Sequence, residues 1–201
     1  MKKFIMTSPF QMPKSVVYEA ADNAKLQYDK AVHFPILPVI HGYAKPGEDI
    51  QVIVILSAYE NAQNNMTLLH QELDALCGEM QVHYQIDTVD IPYDSTLDTH
   101  LSIFSQLIDK LGDGDSIYVC TTYGTKATPL VEMLTLNYTY RMHRNVEIGC
   151  IVYAATDFAK ADHPSKIYDI TSLFYMDDMI RTLADSKVKQ PEKIIRTLLD
   201  E

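Results

Sequence analysis

The stretch Ser116-Ile-Tyr-Val-Cys-Thr-Thr-Tyr-Gly-Thr-Lys-Ala-Thr-Pro-Leu-Val-Glu-Met-Leu134 decides the fold of this chain. It begins with a short apolar run that favours a β-strand and follows a Gly-Asp-Gly-Asp turn signal at residues 112–115. Its second half places Leu130 and Leu134 at helical spacing, with Pro129 suited to the first helical turn. The stretch therefore predicts a strand, a short loop and a helix in direct succession.

The loop between this strand and helix is small and rich in hydroxyl groups, with one glycine and one cation. The N–H groups at a helix start and the helix dipole attract an anion, and the lysine adds a full positive charge. The sequence matches neither the Walker A pattern nor Gly-x-Gly-x-x-Gly, so the alternative is an ordinary turn with a solvated lysine. We expect the ligand to contact the whole loop, which comprises Thr121, Thr122, Tyr123, Gly124, Thr125 and Lys126.

Strands and helices alternate along the rest of the chain. Strands are predicted at 3–7, 50–56, 82–89 and 146–154, helices at 66–78, 95–111 and 173–183, and hairpins at 16–29 and around a tip at 155–165 that leads to 166–170. Residues 33–49 hold three prolines and two glycines and are expected to form an irregular connection that can include one turn of helix. The alternation predicts an α/β fold, a Rossmann-like, mostly parallel sheet with helices on both faces and inserted β-hairpins.

Two other predicted strands end in small polar residues. Ligands of such sheets bind beyond the carboxyl ends of the strands at the topological switch point, so these exits are expected to share one site with the loop. Tyrosines at this edge are candidates for stacking on a base. The competing interpretation is that the polar residues are caps and turns. The candidate ligand-binding residues at these exits are Ser8, Gln11, Ser57, Ala58, Tyr59 and Asn61.

Composition narrows the class of partner. The formal net charge of -10 over 201 residues argues against a surface for long nucleic acid, although a local pocket can still be positive. The three cysteines have no metal-ligand spacing and are expected to be buried thiols in a reducing cytoplasm. No signal peptide or membrane-spanning run is present, and no metal or cofactor is expected.

The order of these features resembles the CARF (CRISPR-associated Rossmann fold) domains of type III CRISPR systems. The resemblance rests on the first strand, the tyrosine-bearing hairpin, the apolar strand ending in Ser57, the Gly124-Thr-Lys126 loop before Pro129, and the closing Tyr168-Asp-Ile-Thr171. It covers most of residues 3–184, by order of elements more than by identity. The loop departs from the family pattern, since it reads Thr122-Tyr-Gly124 and carries lysine where arginine is commoner.

The resemblance implies a ligand and an assembly. The ligand would be a cyclic oligoadenylate, cA4 or cA6, bound across the twofold axis of a homodimer, and residues 128–143 are a candidate for part of the interface. Residues 1–184 would form the sensing domain. Residues 185–201 would be a linker and short helix, either docking on the domain or beginning an effector domain.

Two other functions stay open beside sensing. One is a slow, metal-independent ring nuclease, in which a ligand 2′-hydroxyl attacks its own phosphate and Lys126 with Ser8 or Ser57 stabilises the charge. The loops offer no obvious histidine to accept the proton, which favours sensing over cleavage. The other is a Rossmann-like nucleotide-binding protein unrelated to CRISPR systems.

Overall fold

The structure is a computed structural model that describes residues 1–156 and 165–199. Most of the predicted tip at 155–165 therefore lies outside the described residues. The strands are β1 (Lys2–Thr7), β2 (Val16–Ala20), β3 (Tyr28–Val32), β4 (Asp49–Ser57), β5 (His83–Ile91), β6 (Ser116–Cys120), β7 (Glu147–Ala155) and β8 (Ser165–Asp169). The helices are α1 (Ile36–Tyr43), α2 (Ala62–Met80), α3 (Leu97–Ile108), α4 (Thr128–Met142), α5 (Thr171–Asp185) and α6 (Pro191–Leu199).

The strands form one mixed sheet in the order β3-β2-β8-β7-β6-β1-β4-β5. The five neighbouring strands β7, β6, β1, β4 and β5 are all parallel to one another. Strand β8 runs antiparallel to β7, and the β2–β3 hairpin extends the sheet by pairing β2 in parallel with β8. The predicted α/β fold with a mostly parallel sheet and inserted hairpins is confirmed.

The topology reverses between β1 and β6. After β1 and the β2–β3 hairpin at the far end of the sheet, the chain adds β4 and β5 on one side of β1 and then returns to add β6 and β7 on the other side. Side chains of β1 alternate accordingly: Phe4 and Met6 join a core with α1 and α2, whereas Ile5 joins a second core with α3, α4 and α5. In the parallel part of the sheet, the strand added after β1 and the strand added after β6 therefore lie on opposite sides of this pair. This is the topological switch point, where α/β sheets form ligand crevices.

The segment 33–49 corrects the prediction of an irregular connection, because it contains the two-turn helix α1. Its apolar residues pack fully into the core, and Ile36 and Ile40 have no exposed surface. The prolines do not break the helix, since Pro35 is its N-cap and Pro38 lies in the first turn, where no backbone N–H is needed.

Two other boundaries of helices or strands differ from those predicted from the sequence. Helix α2 continues through Gly78 to Met80 and ends at Gln81, whose left-handed backbone (φ 57°) closes the helix. In the first hairpin, Ala24–Leu26 is a 3-10 turn rather than strand, because the Asn23 side chain accepts a hydrogen bond from the Lys25 N–H. The second strand of that hairpin consequently begins at Tyr28.

Helices α3 and α4 carry apolar residues on their outer sides as well as in the core. Leu97 and Leu130 are each 71% exposed, while α4 turns Glu132, Thr135 and Thr139 into the core. The two helices contact each other, with the rings of Phe104 and Tyr138 5.7 Å apart. The exposed apolar side chains of the two helices together form what we call the α3/α4 outer surface: Leu97, Leu101, Leu130, Leu134, Tyr138 and Met142. Among the described residues, no helix has the length and apolarity that crossing a lipid bilayer requires.

Candidate functional site

A cavity of about 500 Å³ lies at the switch point, beyond the carboxyl ends of β1 and β6. One wall is the segment that follows β1, and the other is the start of the β6–α4 loop. Strand β2 and the end of β7 complete it. The lining residues are Pro9, Phe10, Gln11, Met12, Pro13, Lys14, Val16, Tyr18, Thr122, Tyr123, Gly124 and Thr156. The volume is in the range of small-molecule sites.

The first half of the β6–α4 loop is held against β7. Thr121 is buried, and both its N–H and its hydroxyl donate to the Val152 carbonyl, at 2.9 and 3.0 Å. The Thr122 hydroxyl accepts from the Ala154 N–H at 2.9 Å. These bonds fix the loop backbone, and they direct the Thr121 side chain into the protein rather than toward the cavity.

Gly124 makes the turn in this loop. Its φ of 106° is a backbone conformation that L side chains rarely adopt. A Cβ at this position would lie 2.9 Å from Thr128 Oγ1 and 3.0 Å from Thr7 Cγ2, so no larger residue fits. Thr128 Oγ1 also accepts from the Thr125 N–H. Among the described residues, the amides of Gly124 and Lys126 donate to no acceptor, which leaves them available to an anion.

Tyrosine hydroxyls are hydrogen-bonded to one another beneath the cavity. Tyr18 and Tyr123 share a side-chain hydrogen bond, and the Tyr123 hydroxyl donates to the His33 carbonyl at 3.2 Å. Burial raises the pKa of Tyr18 to about 12 and raises that of Tyr123 further. Both phenols are therefore neutral hydrogen-bonding groups that shape the cavity and do not act as bases.

Two lysines supply positive charge near the cavity. Lys14 lines it, and Lys126 lies exposed on the adjoining loop. Within the described part of the chain, Lys126 has no carboxylate within 4 Å, and none of the described lining residues is acidic. On a chain of net charge -10, this edge of the sheet is locally suited to an anion.

Three aromatic rings cluster beside the cavity. Phe10 contacts Tyr59 and Tyr93, with ring centroids 5.7 and 5.2 Å apart, and Tyr59 lies 4.8 Å from Tyr93. Phe10 also lines the cavity, whereas Tyr93 is mostly exposed. The rings are inclined to one another by 40–80°, so the cluster offers separate ring faces on which a nucleobase can stack rather than one flat surface.

The structure brings all twelve predicted ligand-binding residues to the carboxyl edge of the sheet, but only some to the cavity. Four of them line it: Gln11, Thr122, Tyr123 and Gly124. Ser8, Ser57 and Thr121 are buried, so their side chains are largely covered. The remainder lie outside the cavity at the same edge: Ala58, Tyr59, Asn61, Thr125 and Lys126. Asn61 is engaged locally, since its side chain lies 3.5 Å from the Phe10 carbonyl.

Sequence reasoning missed three residues near this edge. Lys14 had a local signal, a cation in the polar segment after the first strand, but Glu132 and His100 had none. Glu132 is 2% exposed beneath the loop, where it accepts a 3.2 Å hydrogen bond from the Thr7 hydroxyl. Burial raises its pKa to about 8. His100, on the first turn of α3, lies 3.5 Å from the Thr125 hydroxyl. Only the folded arrangement of α3 and α4 brings these residues to the loop.

Comparison with known proteins gives a distant relationship. No established family profile matches this chain. Over 101 residues, half of the chain, it is 25% identical to the CRISPR-associated protein MJ1674 of Methanocaldococcus jannaschii. The matched segment covers 16% of that protein, so the chain corresponds to a small part of it. The chain is thus an α/β protein with a crevice at the switch point and a distant similarity to a CRISPR-associated protein.

Proposed function

We propose that this chain is a CARF-like sensing domain of type III CRISPR signalling that binds a cyclic oligoadenylate of four or six adenosines across a homodimer. The observation that carries the proposal is the cavity at the β1/β6 switch point, which the segment after β1 and the Thr122–Gly124 turn enclose. The distant similarity to a CRISPR-associated protein supports the biological setting.

The chemistry of the cavity suits a nucleotide. Phosphate oxygens would accept from the Gly124 and Lys126 amides and pair with the Lys126 ammonium. The aromatic cluster of Phe10, Tyr59 and Tyr93 would stack on adenine. Apolar lining residues such as Met12 and Val16 would cover the remaining base surface.

The α3/α4 outer surface supports the homodimer. Helix α4 exposes Leu130 and Leu134 to solvent, although its inner face also buries Leu136 beside Glu132. A contiguous apolar surface of this kind marks an interaction site. Because the loop at 121–126 lies at the amino end of α4, pairing two copies through this surface would bring two loops to one twofold axis. A ring with twofold symmetry would then meet identical groups from each chain.

The proposal extends to the organisation of the chain. Residues 1–184 form the sensing domain, and residues 185–201 connect it to an effector domain or an effector partner. Helix α6 carries exposed Ile194, Leu198 and Leu199, apolar side chains that suit such a contact.

Equilibrium titration with cyclic tetra-adenylate and cyclic hexa-adenylate tests the proposal. Linear tetra-adenylate and ATP are the comparison ligands. We expect one ring to bind at least tenfold more tightly than either comparison ligand, because only a ring meets both loops at once. If neither ring binds, the proposal is overturned. Tight binding of ATP alone would instead favour a Rossmann-like nucleotide-binding protein unrelated to CRISPR systems.

A further inference from the structure

The segment between β1 and β2 forms one wall of the cavity but belongs to no strand or helix. Residues 9–13 all line the cavity. Backbone pairing ends just before them, at Ser8, whose N–H donates to the Ile55 carbonyl at 2.9 Å. Among the described residues, positions 9–13 have no backbone–backbone hydrogen bond of their own. The conformation of this wall therefore depends on side chains that bind its carbonyl groups.

A side chain of α2 holds this wall from behind. Asn65 is 1% exposed and is not among the residues that line the cavity. Its Nδ2 donates to the Pro9 carbonyl at 2.7 Å and to the Gln11 carbonyl at 3.3 Å. The Asn61 amide, one turn earlier, lies 3.5 Å from the Phe10 carbonyl, which is longer than an ordinary hydrogen bond. Asn65 thus anchors the backbone on both sides of Phe10.

The amide group of Asn65 is only half satisfied. Its nitrogen donates to two carbonyls, whereas its Oδ1 is buried and has no hydrogen-bond partner among the described residues. A buried, unpaired carbonyl oxygen disfavours folding, so an aliphatic residue would suit the core better at this position. The asparagine is explained by the wall that it holds. The other buried residues of α2, all of which the structure describes, are apolar: Met66, Leu69, Leu73, Leu76 and Cys77.

The two hydrogen bonds also fix the residue between the anchored carbonyls, Phe10. Phe10 lines the cavity, and its ring contacts those of Tyr59 and Tyr93, with centroids 5.7 and 5.2 Å apart. Because the backbone on both sides is anchored to α2, the place of this ring in the aromatic cluster depends on Asn65. A wall that is ordered before a ligand arrives avoids the entropic cost of ordering it on binding.

We propose that Asn65 is a positioning residue for the ligand, an inference that rests on the proposed function. It holds the wall at residues 9–13, and with it the Phe10 ring, in the conformation that receives an adenine, and it does not itself touch the ligand. The affinity for the cyclic oligoadenylate is therefore set in part by a buried side chain of α2. Removing the two hydrogen bonds releases the wall and leaves the rest of the fold in place.

Two substitutions of Asn65 in the full chain separate positioning from stability. Asn65→Leu keeps the branched shape of the side chain, whereas Asn65→Ala leaves a space, so Asn65→Leu should have the higher melting temperature. Both variants lack the two hydrogen bonds. By titration calorimetry, both should bind cyclic tetra-adenylate or cyclic hexa-adenylate at least tenfold more weakly than the parent, and within about twofold of each other.

Limited proteolysis without ligand measures the wall directly. Chymotrypsin should cut the Phe10–Gln11 bond at least fivefold faster in both Asn65 variants than in the parent, with mass spectrometry identifying the fragment 1–10. The cleavage rates at other sites should not change, whereas a general loss of stability would raise them together. The control is Asn64→Ala, which changes the exposed neighbouring asparagine of α2 and should match the parent in affinity and in cleavage.

The outcomes distinguish this inference from the proposed function. Parental affinity in Asn65→Leu, or an affinity that follows the melting temperature of the two variants, overturns the positioning role. Unchanged cleavage of the Phe10–Gln11 bond overturns it as well. In each of these cases a parent that binds a ring leaves the proposed function standing. A parent that binds neither ring overturns the proposed function and this inference with it.

Discussion

At the scale of single residues, Glu132 is the most unusual feature of the chain. It projects from α4 into the core, with Thr7 as the only hydrogen-bond partner of its carboxyl among the described residues and with Oε2 unpaired. Burial raises the pKa of this carboxyl to about 8, so it is protonated in the folded protein at neutral pH. In the unfolded chain the same group is ionised, since its ordinary pKa is about 4.3.

Stability should consequently fall as pH rises. Folding takes up a proton at Glu132, so its contribution is fully present below about pH 4.3 and is lost as pH rises to about 8. Glu132→Gln cannot ionise. The free energy of unfolding of this variant should be similar to that of the parent near pH 5 and about 2–4 kcal/mol higher than that of the parent near pH 9.

Urea unfolding at pH 5, 7 and 9 measures this difference. Glu60→Gln, which changes an exposed glutamate, is the control and should follow the parent at every pH. Parallel pH dependence of the parent and Glu132→Gln would show that Glu132 is not the titrating group.

Substitution of Lys126 tests whether the β6–α4 loop contacts the ligand. Lys126→Ala should weaken binding of the cyclic oligoadenylate by about 1–3 kcal/mol, the range for a lost hydrogen bond to a charged group. The melting temperature should not change, because the side chain is exposed and forms no ion pair with the described residues.

Isothermal titration calorimetry gives the affinity, and Lys45→Ala provides the matched control. Lys45 is also exposed but lies before β4, at the opposite edge of the sheet. Equal affinity in Lys126→Ala and the parent would show that the ligand phosphates do not bind at this loop.

At the scale of elements, α3 and α4 separate what the sequence predicts from what it does not. Their helical spacing was readable, and both helices are present. The buried face was only partly readable, because Leu97 and Leu101 of the predicted stripe face outward while its Leu111 is buried. Thr99, Ile103 and Leu107 of α3 also face the core. A periodic pattern identifies a helix, but which apolar face meets the sheet depends on packing between elements.

The outward stripe predicts the behaviour of a charged variant. Leu134→Glu places a carboxylate at the centre of the α3/α4 outer surface, where Leu134 is 53% exposed. Burying an unpaired charge in an interface is strongly unfavourable. The variant should remain folded but become monomeric, and it should bind the ring at least tenfold more weakly.

Light scattering at micromolar concentration gives the oligomeric state. Leu198→Glu makes the same change on an exposed residue of α6 and should remain dimeric. A dimeric Leu134→Glu variant, or a monomeric parent with ring present, contradicts the use of this surface as the dimer interface.

The sheet itself was predicted more completely than the site. Strand β4 is an almost continuous apolar run, and parallel strands buried on both faces require that pattern. The loop after β6 was found because glycine, hydroxyls and a lysine lie together in sequence. His100 precedes Thr125 by 25 residues, so only the packing of α3 against α4 reveals their proximity. Helix α1 was missed because prolines that usually end helices here occupy its N-cap and first turn.

At the scale of the whole molecule, three features bear on the proposed function. The switch point provides the cavity, the β6–α4 loop provides amides and a cation, and the α3/α4 outer surface is the proposed interface between two copies. The chain is acidic overall, yet none of the described residues that line the cavity is acidic, which is consistent with the proposed anionic ligand.

The stoichiometry of the complex shows whether one ring binds across two chains. Native mass spectrometry of the full chain with cyclic tetra-adenylate, and separately with cyclic hexa-adenylate, reports the number of chains and rings together. We predict a complex of two chains with a single ring for at least one ligand. A complex of one ring with each separate chain, or no bound ring with either ligand, would contradict it.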